Sequence, residues 1–505
     1  MTMNSSFKTL LAVAASALAL AACGGSAEVA SPGEGDFGNG GGNNGGGGNN
    51  GGGNGQAAAD CPTGFDNVGL LGNGAFRNCR LPNQINGNLT VPLRAGTVYS
   101  FSGRTAVGVD GGVDAAANAG VRGILTIEPG VTMVAEGGGD YLLVNRGSQI
   151  YADGTAAQPI IFTSRAGFEG ENGENAHGQW GGIVLAGRAP AANCDLSKSP
   201  AVCSGQVEGT NANFGGGDAN DNSGRLRYVQ IRYSGFEIST GNELQALTLA
   251  GVGAGTKIEY VQSYNSSDDG IEIFGGNVNL SHIVINGADD DAFDTDTGWR
   301  GGAQFGIVTQ RAPNATSRSA GFEFSAAPKE VALAQRYISQ PKIANWTIVG
   351  RNSPTDAHTV AHFDTGTKPT IVNSVFTSVA GSKAGCLDIA DADTASVNPV
   401  FNSVFMSCEI SYRASTASLS EPIFTAGTNN TAKGASTLTA PTSGVSINNQ
   451  VLTFINGANE NAVTPVKASS VHSAFVDTDY IGAVKNASDT WWQGWTCGLT
   501  ANAKC

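Results

Sequence analysis

An all-β solenoid is the fold class this sequence predicts, and three observations lead to it. Helical periodicity is nearly absent, with KEVALAQRY (329–337) the main exception. Short apolar runs dominate instead, punctuated by Gly, Asn and Asp, as strands and tight corners require. The runs also resemble one another: LRYVQIRYSG (226–235), IEYVQSYNSS (258–267) and LSHIVINGAD (280–289) superpose, and AQFGIVTQ (303–310), IANWTIVG (343–350), IVNSVFTS (371–378) and VFNSVFMS (400–407) follow more loosely. Similar strands returning at uneven intervals point to coils stacked along an axis, with loops of different length inserted into them. A propeller needs a steadier repeat, and a sandwich of this length would be unusual.

The chain opens with a segment that does not belong to this body. Residues 1–22 carry Lys8 and then the apolar run LLAVAASALAL, too short to span a bilayer and patterned as a secretory signal. The run ends in Leu20-Ala21-Ala22-Cys23, which resembles a bacterial lipobox. That resemblance implies cleavage before Cys23, lipidation of its thiol, and anchoring by acyl chains worth about 0.8 kcal/mol per buried CH₂. Gly24 follows where an aspartate would signal retention in the inner membrane, so the resemblance implies the outer membrane. Residues 23–59 are Gly- and Asn-rich, cannot form a core, and read as a disordered tether with a reach of roughly 30–35 Å. The membrane is thus one expected partner, reached through the lipid.

Cysteine usage fits export. Of nine cysteines, setting aside Cys23 leaves eight in sequence-neighbour pairs, Cys61–Cys79, Cys194–Cys203, Cys386–Cys408 and Cys497–Cys505. Eight cysteines allow 105 connectivities, and neighbour pairing is the simplest of them. The count points to an oxidising compartment. No CxxC occurs, and the five histidines lie far from the cysteines in sequence. A net charge of −14 argues against nucleic acid as a partner.

The body is expected over residues 60–470, with a cap of the same domain over 471–505 containing Trp491, Trp492 and Trp495. Within it GSQIYADGTAAQPIIFTS (147–164), GQWGGIVLAGRAP (178–190), SSDDGIEIFGG (266–276), DDDAFDTDTGWRGGAQF (289–305) and DYIGAVKNASDTWWQGWTCGL (479–499) resemble a family of Gram-negative and spirochaetal surface lipoproteins. The resemblance covers roughly 121–310 and 471–500. It implies a right-handed parallel β-helix and a surface location, with no established enzymatic activity.

Chemistry concentrates in the acids. SSDDGIEIFGG is echoed 22 residues later by ADDDAFDTDTG (288–298), which places Asp268 over Asp290, Asp269 over Asp291 and Glu272 over Asp294. An apolar–acid–apolar (or threonine) pattern recurs around Glu237, Glu272, Asp294, Glu323, Asp364 and Asp388, predicting one outward column. Equivalent residues stack about 4.8 Å apart, so two such charges repel by about 3.5 kcal/mol at an effective dielectric of 20. Raised pKa values, splaying or a bound cation must relieve this, and an oxygen-rich set suits Ca²⁺. Corner aspartates serving the turns, on a solvated face, explain the same residues structurally. Catalysis is the third reading. The aspartate pair is similar to that of β-helical polygalacturonases, but their Gly-His-Gly and Arg-Ile-Lys strings are missing. A β-helical pectate lyase would need an arginine beside Ca²⁺, for which Arg300 is the candidate. Trp299 is a candidate sugar-stacking residue, or packing. His282 aligns with Tyr260 as a core or ladder residue. No P-loop, GxSxG or HExxH string occurs. The expectation is an outer-membrane lipoprotein displaying its β-helix as a non-catalytic binding or adhesive surface for a glycan or an outer-membrane protein. The alternatives are a polysaccharide lyase or hydrolase, and an accessory of a transport complex.

Overall fold

A computed structural model describes residues 56–114, 121–239, 241–311, 319–326, 330–355, 357–441, 446–447, 450–500 and 505. The signal, Cys23 and nearly all of the tether lie outside them. The chain winds as a right-handed parallel β-helix whose two long sheets hold 15 and 11 strands. From the strand Gly224–Arg232 onward each coil contributes one strand to each sheet, whereas the earlier coils give two shorter strands to the larger one; a residue thus lies directly over its equivalent in the previous coil.

Alternation along the strands builds the core. In the 11-stranded sheet, Ile183, Leu247, Ile271, Phe293, Phe322, Ala361 and Leu387 form one inward column. Leu185, Leu249, Ile273, Thr295, Phe324, Phe363 and Ile389 form the next. Opposite them stand Leu226, Ile258, Leu280, Ala303, Ile343, Ile371 and Phe401. Trp346 reaches across the interior, its ring centroid 5.0 Å from Phe293 and 5.1 Å from Phe322. Gly306, its partner in the preceding coil, makes room for it: a Cβ there would sit 2.1 Å from Trp346 Cδ2.

The long strands of the larger sheet bend at one shared position. Tyr228, Tyr260, His282, Phe305, Asn345, Asn373 and Ser403 stack in register, and all have φ between 49° and 63°. Left-handed backbone is costly for such side chains. The first four recover part of that cost by ring stacking, with successive centroids 4.4, 4.3 and 4.8 Å apart. His282 is therefore a ladder residue, as its alignment with Tyr260 predicts.

The cap is built from two pieces. The helix Ala417–Thr425 closes the end of the core, with Phe424 packed on Phe401 and Tyr412. The tail does not sit over the last coil. It runs back along the flank of the larger sheet, because buried side-chain amides there clamp its peptides at both ends. Asn373 exchanges two hydrogen bonds with Val466 (2.8 and 2.9 Å), Gln304 two with Val476 (2.8 and 2.9 Å) and Gln262 two with Cys497 (2.7 and 2.9 Å). Trp495 meets Tyr228 and Tyr260 edge-on, and Trp491 meets His282. All four neighbour disulfides form: Cys61–Cys79, Cys194–Cys203, Cys386–Cys408 and Cys497–Cys505.

The fit of Trp346 against Gly306 is open to a direct test. Gly306→Ala should lower the urea midpoint by an amount equivalent to about 1–3 kcal/mol, as overpacking of a filled core does. An unchanged midpoint would show that the indole has room to move.

Candidate functional site

Between the two inward columns of the smaller sheet runs a single outward one. It reads Val184, Thr248, Glu272, Asp294, Glu323, His362 and Asp388. Four of the six acids expected there are in place. Glu237 is not: it lies on a two-stranded antiparallel excursion, Phe236–Ser239 with Asn242–Leu244, and faces Glu243. Its flanking Ile238 is exposed rather than buried, and the coil continues through Leu247–Ala250. Asp364 is displaced by two residues, because Ala361 and Phe363, not Phe363 and Thr365, fill the inward columns. The rung belongs to His362.

The column is outward but not solvated. The chain between the strands Gly182–Ala186 and Gly224–Arg232 folds over its upper end, where Ala191, Val207, Ala212 and Phe214 pack on Leu143, Val184 and Ala250. Phe214 reaches Phe274, one residue beyond the acid strand's Ile273. This covering segment and the hairpin beside it bring in Glu208 and Glu243, which sequence reasoning missed. Neither sits in a repeated strand, so no periodic signal marks them.

Two of the aspartates at the preceding corner have backbone duties. Asp269 Oδ1 accepts the Asp291 N–H at 2.9 Å, and Asp291 Oδ1 accepts the Ala320 N–H. Each corner carboxylate thus ties down the next coil, which is the structural role that the turn chemistry predicts. Gln245 donates to Asp268 at 3.2 Å. The arginines at this corner are directed to Asp289 and to backbone carbonyls. Arg311 is committed to Asp289 at 2.8 Å, and Arg351 donates to the carbonyls of Asp289 and Asp290 at 3.2 and 3.0 Å. Among the described residues, Asp268, Asp269, Glu272, Asp291 and Asp294 make no ion pair with lysine or arginine.

The charge is therefore held at a cost. Burial, then Asp269, Glu208 and Asp268, push the Glu272 carboxyl well above the usual range. Burial, then Glu272 and Glu323, do the same to Asp294. Asp269 and Asp291 rise for similar reasons, and burial with Asp290, Glu243 and Glu208 nearby pushes Asp268 up to about 8. Glu272 is 6% exposed, and its Oε2 receives no hydrogen bond. Carboxylate oxygens of Asp269, Glu272 and Asp294 all lie within 4.8 Å of one another, as do those of Asp268, Asp269 and Asp290. Such a group must share protons or hold a cation, and its all-oxygen donors fit a hard divalent ion such as Ca²⁺.

The two residues proposed for glycan contact do something else. Trp299 is fully buried, edge-on to Phe293, and its indole N–H bonds the Val278 carbonyl at 3.1 Å, so it is core. Arg300 lies over the Tyr337 ring at 3.6 Å and donates to the Ile338 carbonyl at 3.2 Å.

The raised carboxyls fix the sign of a pH effect. Between the ordinary carboxylate range near pH 4 and about pH 8, these carboxyls hold more protons in the folded protein than in the unfolded chain. Metal-free protein should accordingly lose stability as pH rises from 5 to 8, read as a falling urea midpoint in EDTA. Glu272→Gln should flatten that slope. A midpoint that rises over the same range would contradict the buried-acid geometry.

Nothing among the curated proteins or the solved structures matches this chain. A family model described as a pectate-lyase-like β-helix domain matches residues 85–496, from the first rungs of the smaller sheet to the tail that straps the flank. The repeated coils, the outward polar column and this match together place the chain in the pectate-lyase-like β-helix domain family.

Proposed function

We propose that the protein is a divalent-cation-dependent binding scaffold, exported and carried on the outer membrane by a lipid at Cys23, that engages acidic glycans. The reading rests on one observation: Glu272 and Asp294 stack in adjacent coils, with Asp269 beside them and, among the described residues, no lysine or arginine paired to any of the three. A Ca²⁺ ion in that cluster would replace repulsion with coordination. Its remaining ligand positions would then accept a carboxylate from a sugar chain reaching in beside Asp294, the least buried of the three, since Ca²⁺ takes six to eight oxygens. The lipobox ending in Cys23 and the Gly/Asn-rich segment after it support display at a distance from the membrane.

Binding is favoured over cleavage because the cationic groups near the acids are already engaged. Arg300 stacks on Tyr337, Arg311 pairs with Asp289, and Arg351 holds two carbonyls. A lyase needs a base aimed at the sugar's acidic carbon, within hydrogen-bond reach. None of these guanidinium groups is placed for that work.

Two measurements check this reading. Millimolar Ca²⁺ should raise the melting temperature relative to EDTA, whereas Glu272→Gln and Asp294→Asn should stabilise the metal-free protein and abolish the Ca²⁺ response. Absence of any Ca²⁺ shift in the wild type would refute the cation site. Incubation with polygalacturonate and other acidic polysaccharides in Ca²⁺ should give binding without unsaturated or newly reducing ends. Appearance of such products would make the protein an enzyme. Separately, Cys23→Ser should release the protein from membranes; continued attachment would refute the lipid anchor.

A further inference from the structure

The lower half of the outward column differs chemically from the upper. After Glu272, Asp294 and Glu323 the next rung is His362, followed by Asp388. His362 Nδ1 lies 2.8 Å from Asp388 Oδ2. Asp388 is fully buried and is held by Arg413 at 3.0 Å and by the Thr416 hydroxyl. A carboxylate acceptor at Nδ1, itself paired with Arg413, fixes that nitrogen as the donor and turns the lone pair of Nε2 to the other side of the ring.

On that side stand two more carboxylates. Nε2 is 3.9 Å from Glu323 Oε1 and 3.9 Å from Asp364 Oδ2. The three donor atoms all lie within 4.8 Å of one another. Asp364 Oδ1 is in turn held by the Ser325 hydroxyl at 2.5 Å, leaving Oδ2 to face the imidazole. His362 is 1% exposed, while the side chains of Glu323 and Asp364 are 20% and 19% exposed, so the two carboxylates, not the imidazole, meet solvent.

We propose that Glu323, His362 and Asp364 form a site for a first-row transition metal of the Zn²⁺ type, with Asp388 as the positioning residue that orients the imidazole. Three ligands on one tetrahedral ion at about 2.0–2.2 Å stand about 3.3–3.6 Å apart, so the observed 3.9 Å needs only small side-chain rotations to close. The nitrogen donor separates this site from the oxygen-only cluster at Asp269, Glu272 and Asp294, because imidazole favours transition metals over Ca²⁺. A carboxylate behind the ligating histidine is the support such sites use to fix the tautomer and raise ligand basicity. The three protein ligands leave a position for water or for an oxygen of a bound ligand. This inference does not rest on the Ca²⁺ reading.

The test uses the full chain, stripped with EDTA and dialysed, and titrated with Co²⁺ alone. Wild-type protein should develop visible ligand-field absorption with one equivalent of Co²⁺, be bleached by Zn²⁺, and be unaffected by a large excess of Ca²⁺. His362→Gln should abolish the bands. Asp388→Asn should weaken Co²⁺ binding roughly 10–100-fold, the usual cost of losing such a support. Glu272→Gln should leave the spectrum unchanged, which distinguishes this site from the upper cluster. Should His362→Gln fail to fold, the partly exposed Asp364→Asn and Glu323→Gln serve instead, each losing at least about tenfold in affinity with the circular dichroism intact. Lack of visible bands in the wild type at millimolar Co²⁺, or bands that survive in these variants, would overturn the proposal and leave His362 as a structural partner of Asp388.

Discussion

Everything in this molecule depends on vertical register. A parallel β-helix places each residue over its equivalent one strand spacing away, about 4.8 Å, so whatever chemistry a coil carries at one position is multiplied by its neighbours. For apolar residues the effect is cooperative, and it produces continuous inward columns such as Ile271, Phe293 and Phe322. For residues that are awkward singly, register decides whether the awkwardness adds up or cancels. The left-handed corner shows cancellation: Tyr228, Tyr260, His282 and Phe305 share a costly backbone conformation but stack face to face. The acids show addition, since Glu272 over Asp294 multiplies a repulsion that neither would feel alone.

The same register explains why the tail is a strap. At the corner, amide side chains recur at nearby positions along the stack, with Gln262, Gln304 and Asn373, on alternate coils, each offering a donor and an acceptor to one side. A backbone running across the coils meets these amides one after another and is bound at each as a strand would be. Residues 464–497 take that path, and the tryptophans cover the aromatic part of the ladder where amides are missing. A single helix is enough to close the core at the end because only one coil's cross-section, around Phe401 and Tyr412, is left open there.

Register also separates what could be read in the sequence from what could not. The echo of SSDDGIEIFGG in ADDDAFDTDTG is a clean 22-residue translation, so Asp269, Glu272, Asp291 and Asp294 were legible to the residue. The neighbour disulfides were legible because the cysteines lie close in the chain. The Glu237 rung was lost to a hairpin whose Phe-Glu-Ile imitates a coil strand, while the true equivalent, Leu247-Thr248-Leu249, carries no acid. The His362 rung was lost to a slip of two residues. Strand alternation has a period of two, so Ala361-His362-Phe363 and Phe363-Asp364-Thr365 satisfy the same pattern equally well. Glu208 and Arg351 come from segments without a repeat, and only folding brings them beside the column.

That slip changes how the column must be understood. Read as six acids, it is uniformly repulsive, and its length would be a liability that grows with each coil. With Thr248 at one end and His362 in the lower half, it is instead a graded column. A neutral hydroxyl begins it, uncompensated acids occupy Glu272 and Asp294, and Glu323 stands at the boundary. Below that, His362 and Arg413 both hydrogen bond to Asp388, and Arg413 pairs with its charge. The lower half therefore carries its own counter-charge, whereas the upper half must obtain one from solution. A fold that only needed a polar outer face would have little reason to shield the uncompensated half behind Phe214 and its loop, where the lack of water magnifies the repulsion. Placing the strain where it is shielded, and the compensation where Glu323 and Asp364 stay open to solvent, leaves the column most responsive to ions and protons at its centre.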